Sequence, residues 1–196
     1  METYYILYNP MAGDGSCQKY AECMPIIYDR VELIDMTRIT NYRAFLRDLR
    51  KDDVLVIIGG DGTLNRFVND TDGIEISQEI LYLPAGTGND FAKDLGKDGY
   101  GNPFEITRYL KDLPSVEVKG KCYRFLNGVG FGIDGYCCQV GDELKKIPGK
   151  KVSYTAIAIK GLLFHFQARN AKVTVDRKMY AYQKVWIAPT MHGRFY

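Results

Sequence analysis

Residues 54–67, VLVIIGGDGTLNRF, constrain the fold of this chain more than any other stretch. Five β-branched or aliphatic residues (Val54, Leu55, Val56, Ile57, Ile58) run directly into Gly59-Gly60-Asp61-Gly62-Thr63, and Leu64, Phe67 and Val68 then recur at helical spacing. The pattern predicts a buried strand, a tight turn and a helix start. Three glycines in four residues let the backbone come close to another molecule, and the free amides of a helix N-terminus point outward at an anion. Phosphate is the expected guest. A plainer reading is a strand-to-helix turn that needs glycine only for geometry. GGDGT goes further, because it sets a carboxylate and a hydroxyl among the amides, where a phosphate-bound Mg²⁺ takes oxygen ligands.

The same texture recurs along the first half of the chain. A strand at Tyr4 to Tyr8 meets Asn9-Pro10-Met11-Ala12-Gly13-Asp14-Gly15, and Ser16 caps a short helix that runs to Cys23. A strand at Val31 to Ile34 ends at Asp35-Met36-Thr37, and Thr40 or Asn41 caps a helix carrying Phe45, Leu46 and Leu49 on one side. A fourth strand, Ile80 to Leu83, enters Pro84-Ala85-Gly86-Thr87-Gly88-Asn89-Asp90-Phe91. Four alternations of strand, loop and helix predict a parallel sheet with helices on both faces. Loops at the carboxyl ends of such strands share one edge, where ligands bind. The loops at 9–15, 59–63 and 84–90 are therefore expected to converge, with Thr37 joining from the second strand.

A helix is expected over Phe104 to Leu110, behind Pro103. Beyond Pro114 the segments at 116–119, 122–131, 171–176 and 179–188 read as strands. The expected organisation is an α/β domain over 1–114 followed by a β-rich domain over 115–196, which breaks off inside a loop at Tyr196. Within the second domain, Val152, Ala156, Ile159 and Leu163 lie on one helix face behind Lys145, Lys146, Lys150 and Lys151. Core packing is the first reading of that face and a membrane-facing surface the second.

Lys and Arg number 26 against 24 Asp and Glu, a formal net charge of +2, so bulk electrostatics give no case for nucleic acid. No apolar run reaches the roughly 18 residues of a spanning helix, and the start lacks a basic leader. The expectation is a cytoplasmic protein able to touch the inner membrane face from outside. Five cysteines without a C-x-x-C pair, and two histidines, make neither a zinc site nor a disulfide framework.

NPMAG at Asn9 to Gly13, GGDGTLN at Gly59 to Asn65 and LPAGTGNDFA at Leu83 to Ala92, in that order, resemble the diacylglycerol kinase catalytic-domain family of lipid kinases. FLNGVGFGIDG at Phe125 to Gly135 resembles the start of that family's second domain. The resemblance implies an α/β nucleotide-binding domain followed by a β-sandwich domain for the lipid, with ATP and Mg²⁺ as cofactors. The implied nucleotide contacts are Asn9, Pro10, Met11, Ala12, Gly13, Thr37, Gly59, Gly60, Asp61, Gly62, Thr63, Leu64, Asn65 and Thr87. Asn89 and Asp90 match a pair at the cleft on the substrate side. Asp61 is expected to act as a Mg²⁺ organiser or base, against a plainer role as a helix cap; the metal ligands themselves are unassigned. The family's late carboxylate and Mg²⁺ ligands are expected beyond Tyr196, and Arg66 stands where the family has Glu. Expected partners are a lipid at the membrane surface and, as an option, a second copy in a homodimer. GGDGT is shared with NAD kinases, so an NAD-kinase-like enzyme and a non-catalytic nucleotide-binding module are the alternatives.

Overall fold

The apolar run forms β3 (Val54–Gly59), and every residue of it is buried. In the computed structural model, which describes residues 1–10, 12, 15–97, 101–145, 147 and 152–195, β3 sits at the centre of a five-stranded sheet of order β2-β1-β3-β4-β5. The other strands are β1 (Tyr4–Tyr8), β2 (Val31–Asp35), β4 (Glu79–Pro84) and β5 (Phe104–Glu105). The first four are parallel, and β5 runs antiparallel to β4. Tyr8 stands opposite both Asp35 and Ile58, and Ile58 opposite Leu83, so the four parallel strands end level.

Strand alternation sorts the core into two layers. Val54, Val56 and Ile58 pack with Ile6, Leu83 and the inner side of α1 (Ser16–Cys23), namely Cys17 and Ala21. Leu55 and Ile57 point the other way. They pack with Tyr42 and Leu46 of α2 (Tyr42–Arg47), Leu64 and Phe67 of α3 (Asp61–Asp70), and Phe91 and Ala92 of α4 (Asp90–Asp94). Helices thus cover both faces, as the alternation predicts. Burying an aliphatic side chain of this size contributes about 2 kcal/mol, which places the most apolar run in the middle. Asn41 caps α2 by accepting from the Ala44 amide, whereas α1 starts after Gly15 in a left-handed conformation with no side-chain cap from Ser16.

The helix expected over 104–110 is replaced by β5 and a 3₁₀ turn at Thr107–Leu110. The free edge of β4 supplies the reason. Ile80 donates its amide to Thr107 Oγ1 at 2.9 Å and accepts from Ile106 N at 2.8 Å, while Phe104 meets the Tyr82 ring edge-on at 5.9 Å. Local helix propensity yields to pairing with the sheet.

The chain divides into two compact units. Unit 1 comprises Met1–Asn127 and His192–Tyr196; unit 2 comprises Gly128–Met191. The hairpin of β6 (Ser115–Val118) and β7 (Lys121–Arg124) lies past Pro114 yet falls in unit 1. It is tied to α3 by the Asn69 amide, which donates to Arg124 O and accepts from Arg124 N, both at 2.9 Å.

Unit 2 is mixed, so the β-rich expectation holds only in part. It pairs β8 (Gly128–Gly132) with β11 (Ile187–Met191), and β9 (Arg169–Val175) with β10 (Lys178–Val185), all antiparallel. Between them lie α5 (Ile133–Lys145), α6 (Tyr154–Lys160) and a π-helical turn, Gly161–His165. The strand expected over 122–131 is β7 and β8 with a break at Phe125–Asn127, and the one over 179–188 is split between β10 and β11. The face expected to be buried on the last helix is the outer one: Ile159 is 53% and Leu163 67% exposed. Ile157 and Gly161 turn inward instead, and the missing Cβ of Gly161 leaves room for the Tyr136 ring. Lys146, Lys150 and Lys151 lie outside the described residues. Among the described residues no helix is long and apolar enough to cross a membrane.

Candidate functional site

Because the parallel strands end level, the loops after β3 and β4 leave side by side and touch. Ala85 N donates to Gly59 O at 2.9 Å, and the buried Tyr82 hydroxyl donates to the same oxygen at 2.8 Å. A Cβ on Gly86 would stand 2.6 Å from the Gly60 Cα, so neither loop tolerates a side chain at the crossing. Asn89 adopts the left-handed conformation at φ 53°. Its side chain closes the second loop on itself, with Oδ1 accepting from Gly86 N and Nδ2 donating to Gly86 O, both at 2.9 Å.

Asp61 joins the two loops. It occupies the first turn of α3, but its carboxylate caps α4: Oδ2 accepts from Asp90 N at 3.0 Å and Oδ1 from Phe91 N at 2.9 Å. Oδ1 also accepts from Asn127 Nδ2 at 3.1 Å. A carboxylate at a helix N-terminus satisfies two orphan amides and complements the helix dipole. Three N–H donors orient this carboxylate as the cap of α4 and the link between the two loops. Among the described residues no group of three or more His, Cys, Asp or Glu is placed to hold a metal ion.

The remaining residues of GGDGTLN separate into packing and exposed groups. Thr63 is buried, its side chain lying in the space that a Cβ on Gly59 would need, and Leu64 is wholly buried in the core. Asn65 is half-buried. Arg66 is exposed and pairs with Asp70 one turn on, at 3.2 Å. Gly62 is the exposed one of the three glycines: among the described residues nothing lies within 4 Å of where its Cβ would be. The amides of Gly60, Asp61 and Gly62 precede the first intrahelical bonds of α3, in which Thr63 N and Leu64 N donate to Gly60 O.

Thr37 lies in the 3₁₀ turn Met36–Arg38 that follows β2 on the same sheet edge. Its hydroxyl and amide donate to Asp35 Oδ1 at 2.6 and 2.9 Å, and the hydroxyl bond holds the Asp35 carboxyl below the usual carboxylate range, with Arg38 also lowering it. Beside it a shallow groove of about 440 Å³ is lined by Tyr8, Leu33, Ile34, Asp35, Arg38 and Ile39. Ala12 packs against the α1 side of the core, and Asn9 O accepts from Ala12 N at 3.0 Å. Pro10 is half-buried and Thr87 exposed. Met11 and Gly13 lie outside the described residues. Asp90 directs Oδ1 at Lys93, 3.1 Å away. A separate cavity of about 390 Å³ opens between Phe67, Ile80, Thr107 and Arg124, at the start of β4 and away from the glycine loops.

Sequence reading missed Asn127 and Asp94. Asn127 clasps Asp61, and Asp94 at the end of α4 accepts from Arg194 Nε at 2.7 Å. A polar residue directly after the buried pair Phe125-Leu126 was the available signal for the first.

Residues 3–117, more than half of the chain, match the family model described as the diacylglycerol kinase catalytic domain. The chain belongs to that family. It is 26% identical over 163 residues to "Putative lipid kinase YtlR" of Bacillus subtilis, covering 72% of this chain and 50% of that one. It is 31% identical over 147 residues to a "Putative lipid kinase" of Staphylococcus aureus strain Mu3, covering 73% and 47%. The chain thus spans about half the length of the curated relatives it matches. A solved diacylglycerol kinase from Bacillus anthracis superposes with a TM-score of 0.56 at 20% identity, over 99% of this chain and 65% of the other. A structure titled "A putative diacylglycerol kinase" from the same organism gives 0.61 at 18%, over 100% and 68%. At these identities the superpositions speak for the fold, a mixed α/β architecture with a mainly parallel sheet.

Proposed function

We propose that this chain carries the ATP-binding half of a lipid kinase, which transfers the γ-phosphoryl group to a lipid hydroxyl, with a diacylglycerol-like acceptor reached at a membrane surface. Gly62 carries the reading. Glycine in a helix costs about 0.5–1 kcal/mol relative to alanine. The described residues offer no steric reason for it, and its φ is not in the left-handed region. The reason for the missing Cβ is then a ligand that approaches the backbone. The amides of Gly60, Asp61 and Gly62 at the N-terminus of α3 suit phosphate oxygens. The exposed Thr87 hydroxyl belongs to the same edge, and the groove beside Thr37 and Tyr8 takes the nucleoside end.

In the reaction, a lipid hydroxyl oxygen bonds to the γ-phosphorus, the bond to the β-phosphate bridging oxygen breaks, and the hydroxyl proton passes to a base. Asp61 is engaged by three donors, so its assigned role is to hold the two loops in register. Mg²⁺ arriving with the nucleotide would neutralise charge on the phosphates. Positioning and charge neutralisation supply most of the catalysis in phosphoryl transfer.

Titration calorimetry with ATP on the 196-residue chain tests the donor site. Radiolabelled ATP with diacylglycerol, phosphatidylglycerol, sphingoid bases and NAD tests the acceptor. A labelled lipid is the expected product. Labelled NAD alone would select the soluble-substrate reading; ATP binding without any product would select a nucleotide-binding module.

A further inference from the structure

Asn127 is the residue at which the chain leaves unit 1, and His192 the residue at which it returns. The Asn127 carbonyl accepts from His192 N at 2.8 Å and Gly193 N at 2.9 Å, while its side-chain amide donates to Asp61 Oδ1 at 3.1 Å. Two residues on, Arg194 donates through its backbone N and Nε to Asp94 Oδ1 at 3.2 and 2.7 Å. Helix α4 is consequently held at both ends, by Asp61 at its first amides and by Arg194 at its last residue. Asn127 bonds to Asp61 of the first clasp through its side chain and, through its carbonyl, to the two residues that precede Arg194 of the second.

We propose that Asn127 is a positioning residue: it fixes the rotation of the Asp61 carboxylate and through it the register of the two glycine loops. The seating of the segment His192–Arg194 within unit 1 is thereby linked to occupancy of the nucleotide site. The geometry supports this directly. Without the Asn127 donor, Oδ1 keeps Phe91 N and Oδ2 keeps Asp90 N, so that among the described residues the hydrogen bonds left on the carboxylate all come from α4. Linkage is reciprocal, so a ligand that orders the loops also tightens the hold on His192–Arg194. The positioning role stands on geometry alone; the linkage rests on the nucleotide reading above.

Hydrogen exchange on the full chain, with and without MgATP, tests it. Asn127→Ala should speed exchange at the Asp90 and Phe91 amides about tenfold, the equivalent of one bond to a charged group. It should also weaken ATP several-fold and abolish MgATP protection at 192–194. Asn127→Asp keeps the shape and the backbone bonds but sets an acceptor against Asp61, so it should exceed the alanine effect; a space-filling role predicts the opposite order. In an Asp61→Ala background, Asn127→Ala should add nothing at those amides. Unchanged exchange at Asp90 and Phe91 in both Asn127 variants overturns the positioning role, whatever ATP does. If exchange changes but wild type does not bind ATP, the positioning role stands and the nucleotide reading falls. ATP protection at 192–194 equal in wild type and Asn127→Ala overturns the linkage.

Discussion

Gly60 and Gly86 meet backbone to backbone: a Cβ on Gly86 would lie 2.6 Å from the Gly60 Cα, and one on Gly60 3.0 Å from the Gly86 Cα. Both contacts are with main chain, which cannot rotate away. Gly86→Ala must therefore part the two loops, at about 1–3 kcal/mol as for overpacking in a core, and Gly60→Ala should cost less. Urea unfolding midpoints check the order. ATP affinity should fall in the same order, because the loops that separate are the ones proposed to hold phosphate.

Gly62→Ala should act in the opposite sense on stability. Its Cβ meets no described residue, and alanine gains about 0.5–1 kcal/mol in a helix. The variant should unfold at higher urea and bind ATP at least tenfold more weakly. A more stable protein with unaltered ATP affinity would remove the main support for a phosphate at this turn.

The contrast between these glycines also marks what the sequence could convey. β3 was legible because five consecutive apolar residues ending in glycine admit little besides a buried strand. That the loops after β3 and β4 adjoin follows from parallel topology. Which glycine serves packing and which a ligand is set by neighbours far along the chain, and no periodicity encodes that. The bond from Asn127 to Asp61 spans 66 positions and is equally silent in sequence. Phe104–Glu105 shows a third case, where an edge strand's need for partners outweighs local helix signals. Across α6 and the π-helical turn after it, Ile157 and Gly161 form as good a helical stripe as Ile159 and Leu163, and the ring of Tyr136 packs where a Gly161 side chain would stand.

Acid should destabilise unit 1 through three carboxylates. Asp53 is held below the usual range first by its bond from Arg50, Asp94 by its bond from Arg194, and Asp35 by the Thr37 hydroxyl. A folded-state pKa below the unfolded value gives stability that is present above about pH 4 and lost as pH falls through the folded value. Asp134 in unit 2 has the reverse sign, because burial raises it and its neutral form is favoured. Urea midpoints for unit 1 should fall steadily below pH 4. Asp53→Asn, which cannot titrate, should be less stable at pH 7 and show a shallower fall; an identical pH profile would remove Asp53 from the account.

Asn89 separates a loop-building role from a substrate contact. Its left-handed backbone is tolerated by asparagine and free for glycine, and it costs other residues about 1 kcal/mol. Its side chain makes two bonds to Gly86, each worth about 1 kcal/mol. Asn89→Gly should lose the bonds but keep the conformation, while Asn89→Ala should lose the bonds and add the conformational cost. Asn89→Asp keeps the acceptor for Gly86 N but turns an oxygen toward Gly86 O, so ionised aspartate should fall below glycine. The expected order of unfolding midpoints is wild type, then Gly, then Ala, with Asp below Gly. A side chain that served only the substrate would leave Gly equal to or above wild type in stability while lowering turnover, and that result would return Asn89 to the binding surface.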